Sequence, residues 1–271
     1  MIEAPTKYTL GSSDQEIERL DRQSASIESA TRLLLGASGI QPGMRVLDLG
    51  TGIGHVALLI AELVGPAGQV VGIDNNRRML DVAASRATSR SQLRFIDGDV
   101  RSWCDDEPFD AIVGRLILFH LADPVSVLRH HAAALRPGGL LLALDFDLGA
   151  ARAEPALPLA TEVVGWVNSA FRHAGASPAI GAKLALLLTE AGLADVQGFG
   201  MQAYYAPGDP RGPMLLSGVV RTLAPQIVAA GLATLEQIDI DTLEARIAYK
   251  VRSAGAVILP PTLAGAWGRR C

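Results

Sequence analysis

The residues whose types and spacing carry the most chemistry are Asp48-Leu49-Gly50-Thr51-Gly52-Ile53-Gly54, a carboxylate followed by three alternate glycines. Glycine adopts positive φ without strain and lets a ligand lie against bare backbone. The apolar pair Val46-Leu47 precedes this stretch and the apolar run Val56–Ala61 follows it, which predicts a strand, a tight turn and a helix. A helix beginning there points free N–H groups and a partial positive charge at whatever lies over the turn. Asp48 adds a carboxylate able to hold a cationic group, so the stretch suits a ligand with both an anionic and a cationic end. A dinucleotide fingerprint requires G-x-G-x-x-G. Here His55 stands where its third glycine would be, and an unliganded tight turn remains the other reading of these glycines alone.

Further acids close the strands that follow. Gln69–Asp74 reads as a second strand, and Asp74 lies about two dozen residues past Gly50, the distance at which an acid reaches a ribose. Its carboxylate can accept from both ribose hydroxyls or cap the helix expected from Asn75 to Ala87. Met79, on the inner side of that helix, either lies against a flat base or is plain core. The third strand, Leu93–Val100, ends in Gly98-Asp99-Val100. Asp99 there can accept from an exocyclic amine of adenine while the Val100 N–H donates to the ring. Phe109–Arg115 and Leu140–Asp147 make strands four and five, with a helix opened by Asp123-Pro124 and ended by Arg136-Pro137-Gly138-Gly139. Strands alternating with helices imply a parallel, doubly wound α/β sheet. Such sheets bind ligands at the strands' carboxyl ends, where Gly50, Asp74, Asp99, Arg115 and Asp145 are expected to gather.

Two residues are candidate catalytic bases. His120 follows strand four on the pocket side, and Asp147 ends strand five; backbone bonding and helix capping are their alternative roles. His130 and His131 are expected on a solvated helix face away from the mouth.

The remaining elements must position these groups. Ser13 and Glu16 form a capping-box pattern that opens a helix, and a second helix is expected from Ile27 to Gly36. This N-terminal region, 1–35, either packs on the core or acts as a flap bringing Tyr8 or Gln23 into the site. Past residue 149, helices are expected at 157–174 and 180–191, strand six at 197–206, and strand seven at 255–259 with 264–269. Between those strands, helical residues 208–254 are expected to roof an acceptor pocket lined, or merely packed, by Leu215, Leu216, Val219, Val220, Leu223 and Ile227. One domain therefore accounts for all 271 residues: flap 1–35, cofactor-binding core 36–207, lid 208–254 and last strand 255–271. A net charge of −4 argues against a nucleic-acid footprint. Two cysteines form neither a disulfide framework nor a metal site, which with the absence of a signal-type or membrane-spanning run predicts a cytoplasmic protein.

The series D-L-G-T-G-I-G at 48–54, Asp74, G-D at 98–99, F-D-A-I-V at 109–113 and L-R-P-G-G at 135–139 resembles the class I S-adenosylmethionine-dependent methyltransferases, most closely the small-molecule branch called methyltransferase type 11. The resemblance covers 36–148 and implies a Rossmann-like seven-stranded sheet, mostly parallel with an antiparallel last strand. It implies S-adenosylmethionine with its methionine end by Asp48 and Gly50, its ribose on Asp74 and its adenine near Asp99 and Val100. Arg115 then borders the methionyl part, and Thr51, Gly52, Gly54, Asn75 and Gly98 complete the binding set. The expected acceptor is a small apolar or aromatic metabolite, with no nucleic-acid or membrane partner, and a homodimer is left open. A cyclase or isomerase retaining the cofactor without methyl transfer is the first alternative. A nicotinamide oxidoreductase, disfavoured by His55, is the second; a non-catalytic binding protein is disfavoured by the presence of Asp74 and Asp99.

Overall fold

Short branched apolar runs alternate with helical ones through the first half of the chain, and the computed structural model, which describes residues 14–271, folds them as that alternation dictates. Tyr8 and Ser13 lie outside the described residues. In chain order the first elements are α1 (Asp14–Ser38), β1 (Arg45–Leu49), α2 (His55–Val64), β2 (Gln69–Asp74), α3 (Arg77–Arg86), β3 (Leu93–Asp97) and β4 (Phe109–Arg115). Then come α4 (Pro124–Ala132), β5 (Leu135–Asp147), β6 (Arg152–Glu154), α5 (Pro158–His173), α6 (Leu184–Glu190) and β7 (Ala194–Met201). The last are α7 (Arg211–Ala229), α8 (Leu235–Ile238), α9 (Ile240–Ala254), β8 (Val257–Leu259) and β9 (Thr262–Arg269).

Seven strands form one sheet in the order β3-β2-β1-β4-β5-β9-β7. β3 to β5 in that order pair in parallel, and the centres of β2, β1, β4 and β5 are buried while the edge strand β3 is only partly covered. β9 runs against its neighbours. Gly138 N–H donates to the Arg270 carbonyl and Arg270 N–H to the Gly139 carbonyl, each at 2.8 Å, joining the start of β5 to the end of β9.

The chain divides into two compact units. The first runs through Leu144 and adds Leu184–Gly198 and Gly265–Cys271. The second holds Asp145–Lys183 and Phe199–Ala264, so it takes in α5 and β6 as well as the helical insertion expected from the sequence. Its core is built where the apolar residues of α7 recur at three- and four-residue spacing, Leu216, Val220, Leu223 and Ile227, against Trp166 of α5 and Ile247 of α9. The candidate pocket lining of α7 is thus a packing face.

Three expectations about elements change. α1 is a single helix of 25 residues rather than two. Ser26 and Thr31 donate their hydroxyls back to the carbonyls of Gln23 and Ile27, so neither breaks the helix. Residues 257–259 do not belong to strand seven: they pair antiparallel with β6 as a separate two-stranded ribbon. Pro260 and Pro261 explain the break, since neither has an N–H to continue a ladder. Finally, α4 stops at Ala132 and the segment from Leu135 through Gly139 opens β5 instead of closing the helix.

Candidate functional site

The glycine loop joins β1 to α2 as the sequence predicts, with Gly50, Gly52 and Gly54 at φ of 64°, 53° and 83°. A methyl group on Gly50 would come within 2.7 Å of Ile117, whereas one on Gly52 would meet nothing within 4 Å. Among the described residues, Gly52 therefore presents bare backbone that no side chain covers. Gly54 caps α2 without a side chain, and the helix is capped from the strand instead. Asp48, 1% exposed, accepts the Thr51 hydroxyl at 2.6 Å and the Ala57 N–H. Burial of this carboxylate pushes its pKa up to about 7 despite those two donors and the nearby Arg115 charge. Asp48 is enclosed by the loop it braces and clasps that loop to the first turn of α2.

Asp74 ends β2 as predicted and links three segments. Its Oδ2 accepts the Gly52 N–H and its Oδ1 the Asn76 N–H, both at 2.9 Å, while the Asp74 carbonyl accepts the Gly98 N–H at 3.0 Å. Burial raises its pKa, opposed by these backbone donors. Asn76, not Asp74, caps α3 through its side chain. Asn75 is exposed beside this carboxylate, and Met79 is buried at 3% exposure as core.

The Gly98-Asp99-Val100 turn follows β3. Trp103 packs where a Gly98 side chain would stand, at 2.7 Å. Asp99 is half-buried and bound by the Arg101 guanidinium at 2.5–3.0 Å, which holds its pKa below the ordinary value. The Val100 N–H finds no acceptor among the described residues.

Arg115 ends β4, and its guanidinium turns towards α1: Nη2 donates to Ser24 at 2.8 Å and Nη1 to Thr31 at 3.1 Å. Burial lowers its pKa to about 10, while Asp48 and Glu28 favour its charge. Gln23, one residue before Ser24, is half-buried beside Arg19 at 3.4 Å. Arg115 thus ties α1 to the end of β4.

His120 closes a 3₁₀ turn, Leu118–His120, after β4, with its ring edge-on to Phe119 at 5.2 Å. Burial lowers its pKa, so the ring is neutral at physiological pH and competent as a base. Asp147 belongs to the second unit and caps the turn Leu148–Ala150, accepting the Gly149 N–H at 3.0 Å. Asp145 also belongs to that unit.

Two groups escaped the sequence. His55, the residue in the fingerprint's glycine place, bonds Asp21 of α1 at 2.8 Å, and Arg86 of α3 holds both Asp21 oxygens at 2.9 Å. Arg86 and His55 keep the Asp21 carboxyl below its usual range. A lone acid on a long helix reads as solvated, so only the fold could pair it. His131, expected in solvent, is fully buried and bonded to Val100.

Residues 40–175, half of the chain, match the model of a family described as a methyltransferase domain. Among curated proteins, the ubiquinone/menaquinone biosynthesis C-methyltransferase UbiE of Ectopseudomonas mendocina is 32% identical over 136 residues, 49% of this chain and 51% of its own. The chain thus spans about half the length of the curated relatives it matches. Among solved structures, a putative methyltransferase from Bacillus halodurans superposes with a TM-score of 0.56 at 20% identity, over 89% of this chain and 99% of that one. Phosphoethanolamine N-methyltransferase 2 of Haemonchus contortus, solved with phosphomonomethylethanolamine and S-adenosylhomocysteine, gives 0.55 at 19% identity, over 89% and 52%.

Proposed function

Because the chain belongs to the family of methyltransferase domains, we propose that it transfers a methyl group from S-adenosylmethionine to a small apolar or aromatic molecule. The observation that carries this reading is the Asp74 carboxylate, fixed by the Gly52 amide between a glycine loop with open backbone and the Asp99–Val100 turn. In this proposal Asp74 accepts the ribose hydroxyls, Asp99 and the Val100 N–H take the adenine edge, and the backbone of Gly50 to Gly54 faces the methionyl part. The residues fit such a group chemically: two acids and an amide with no acceptor among the described residues stand along one rim, and no described atom lies within 4 Å of where a Gly52 side chain would stand.

S-adenosylmethionine supplies an already electrophilic methyl carbon, so the protein's work is to hold the acceptor in line. Alignment of that kind contributes about 7–11 kcal/mol. His120 is proposed to take the proton from a phenolic or alcoholic acceptor, for which its neutral ring is suited. Asp48 acts indirectly by keeping the loop closed on α2. A relative named for ubiquinone and menaquinone biosynthesis supports an aromatic acceptor. The setting in this proposal is the cytoplasm: Cys104 and Cys271 are both exposed and unpaired, and no helix of the described residues is long and apolar enough to cross a membrane.

The test is incubation with methyl-labelled S-adenosylmethionine and a panel of phenols, naphthols and hydroquinones. Label should appear in an extractable aromatic product. Tight binding of the labelled compound with no transfer to any acceptor would favour a cyclase or isomerase.

A further inference from the structure

His131 of α4 takes no part in the chemistry above, yet it is one of the few polar side chains with no exposure at all. Its Nε2 lies 2.7 Å from the Val100 carbonyl oxygen. A carbonyl only accepts, so Nε2 carries the proton and the ring is the Nε2–H tautomer. Nδ1 is then the bare nitrogen, and it has no partner among the described residues. Burial pushes the ring's pKa down to about 4, which keeps it neutral. The adjacent His130 bonds the Trp103 carbonyl at 2.9 Å and packs edge-on to His131, ring centres 4.9 Å apart.

The consequence lies one peptide away. The plane joining Val100 to Arg101 offers its carbonyl to His131 and, on the opposite side as a trans peptide requires, its N–H to Asp99 Oδ1 at 2.9 Å. The preceding plane has its Asp99 carbonyl taken by the Ser102 and Trp103 N–H groups at 3.0 and 2.8 Å, while its Val100 N–H has no acceptor among the described residues. Arg101 also grips the Asp99 carboxylate, but through an exposed pair that contributes little.

We infer that His131 is a positioning residue for nucleobase recognition: by holding the Val100 carbonyl it sets the 100–101 peptide, whose N–H orients the Asp99 carboxylate towards the 6-amino group of adenine. This rests on the proposed reading of Asp99 and Val100 as the adenine end. An imidazole that merely filled core volume would support the fold without affecting which base is bound.

The discriminating experiment titrates S-adenosylhomocysteine and S-inosylhomocysteine, in which a 6-oxo group replaces the amine, into the full chain and its variants. The unaltered protein should prefer the adenine compound by roughly tenfold or more, the scale of one charge-assisted hydrogen bond. His131→Met, of similar length but without a donor, should lose that preference while remaining folded by circular dichroism. His131→Gln, which keeps a donor at comparable reach, should restore it. Wild-type preference in His131→Met, or its loss in His131→Gln, overturns the inference. No preference in the unaltered protein overturns the adenine reading itself, and the inference with it. Nitrogen-15 NMR of the unaltered protein supplies a measurement independent of any variant's folding: an Nε2–H ring supports the inference, and an Nδ1–H ring overturns it.

Discussion

Asp74 Oδ2 accepts the Gly52 amide at 2.9 Å, so the acid that ends β2 is joined to the middle of the loop that follows β1. The carboxylate is thereby fixed in direction before any ligand arrives, with the Asn76 amide on its other oxygen. Preorganisation of this kind avoids the entropy of ordering the group on binding. Replacing Asp74 with Ala should weaken S-adenosylhomocysteine binding by about 1.5–3 kcal/mol, from lost charge-assisted bonds. Calorimetric titration measures this, and unchanged affinity would remove Asp74 from the ribose.

Gly52 separates backbone strain from ligand contact. Gly52→Ala places a methyl in open space at φ 53°, and Gly231→Ala does the same at φ 65° far along the chain in the second unit. Each should cost about 1–2 kcal/mol in denaturant unfolding. Only Gly52→Ala should also reduce cofactor affinity. Equal affinity in the two variants would mean that no ligand lies against Gly52.

The buried Asp48 predicts a signed pH effect. A carboxyl whose folded pKa, about 7, exceeds its unfolded value binds protons more tightly when folded. It therefore contributes stability that is full below the unfolded value near 3.8 and is lost as pH rises through about 7. Relative to Asp48→Asn, the unaltered protein should gain unfolding free energy as pH falls from about 8 to about 5. Urea titrations at a series of pH values measure the difference, and a gain with rising pH would contradict the raised pKa of this buried carboxylate.

His120→Ala should lower turnover roughly 10²–10⁴-fold on a phenolic acceptor, with cofactor affinity intact. Because burial holds the His120 pKa below its ordinary value, the acid limb of the rate profile should fall below pH 6.5. Unaltered turnover would return His120 to a packing role.

Arg115→Leu should free α1 from the end of β4, since its bonds to Ser24 and Thr31 are lost together. Limited proteolysis should then cut within α1 faster than in the unaltered protein, and equal rates would mean that Asp21, through Arg86 and His55, suffices to hold the helix.

Much of the sheet could be read in advance because each strand ends in a signal: Asp48 with its glycines, Asp74, Gly98-Asp99 and Arg115 all fall at the predicted carboxyl ends. What such signals omit is the partner of each side chain. Arg115 gives no sign in the sequence that Ser24 and Thr31, more than eighty residues earlier, accept from its guanidinium. Asp48 reads as a carboxylate able to hold a cation, and its burial with the Ala57 N–H as a donor depends on the return of α2. His131 is a histidine on a helix face in one dimension and a buried support for Val100 in three. The Pro260-Pro261 pair was visible, but its consequence, a separate ribbon of β6 and β8, depends on where β6 lies.

The most direct measurement is a crystal structure of the full chain with S-adenosylhomocysteine. The account predicts its ribose hydroxyls on Asp74, its adenine beside Asp99 and the Val100 amide, and its homocysteine along the Gly50–Gly54 backbone. An adenosyl group bound away from that rim, or no binding at concentrations that saturate other members of the family, would contradict it.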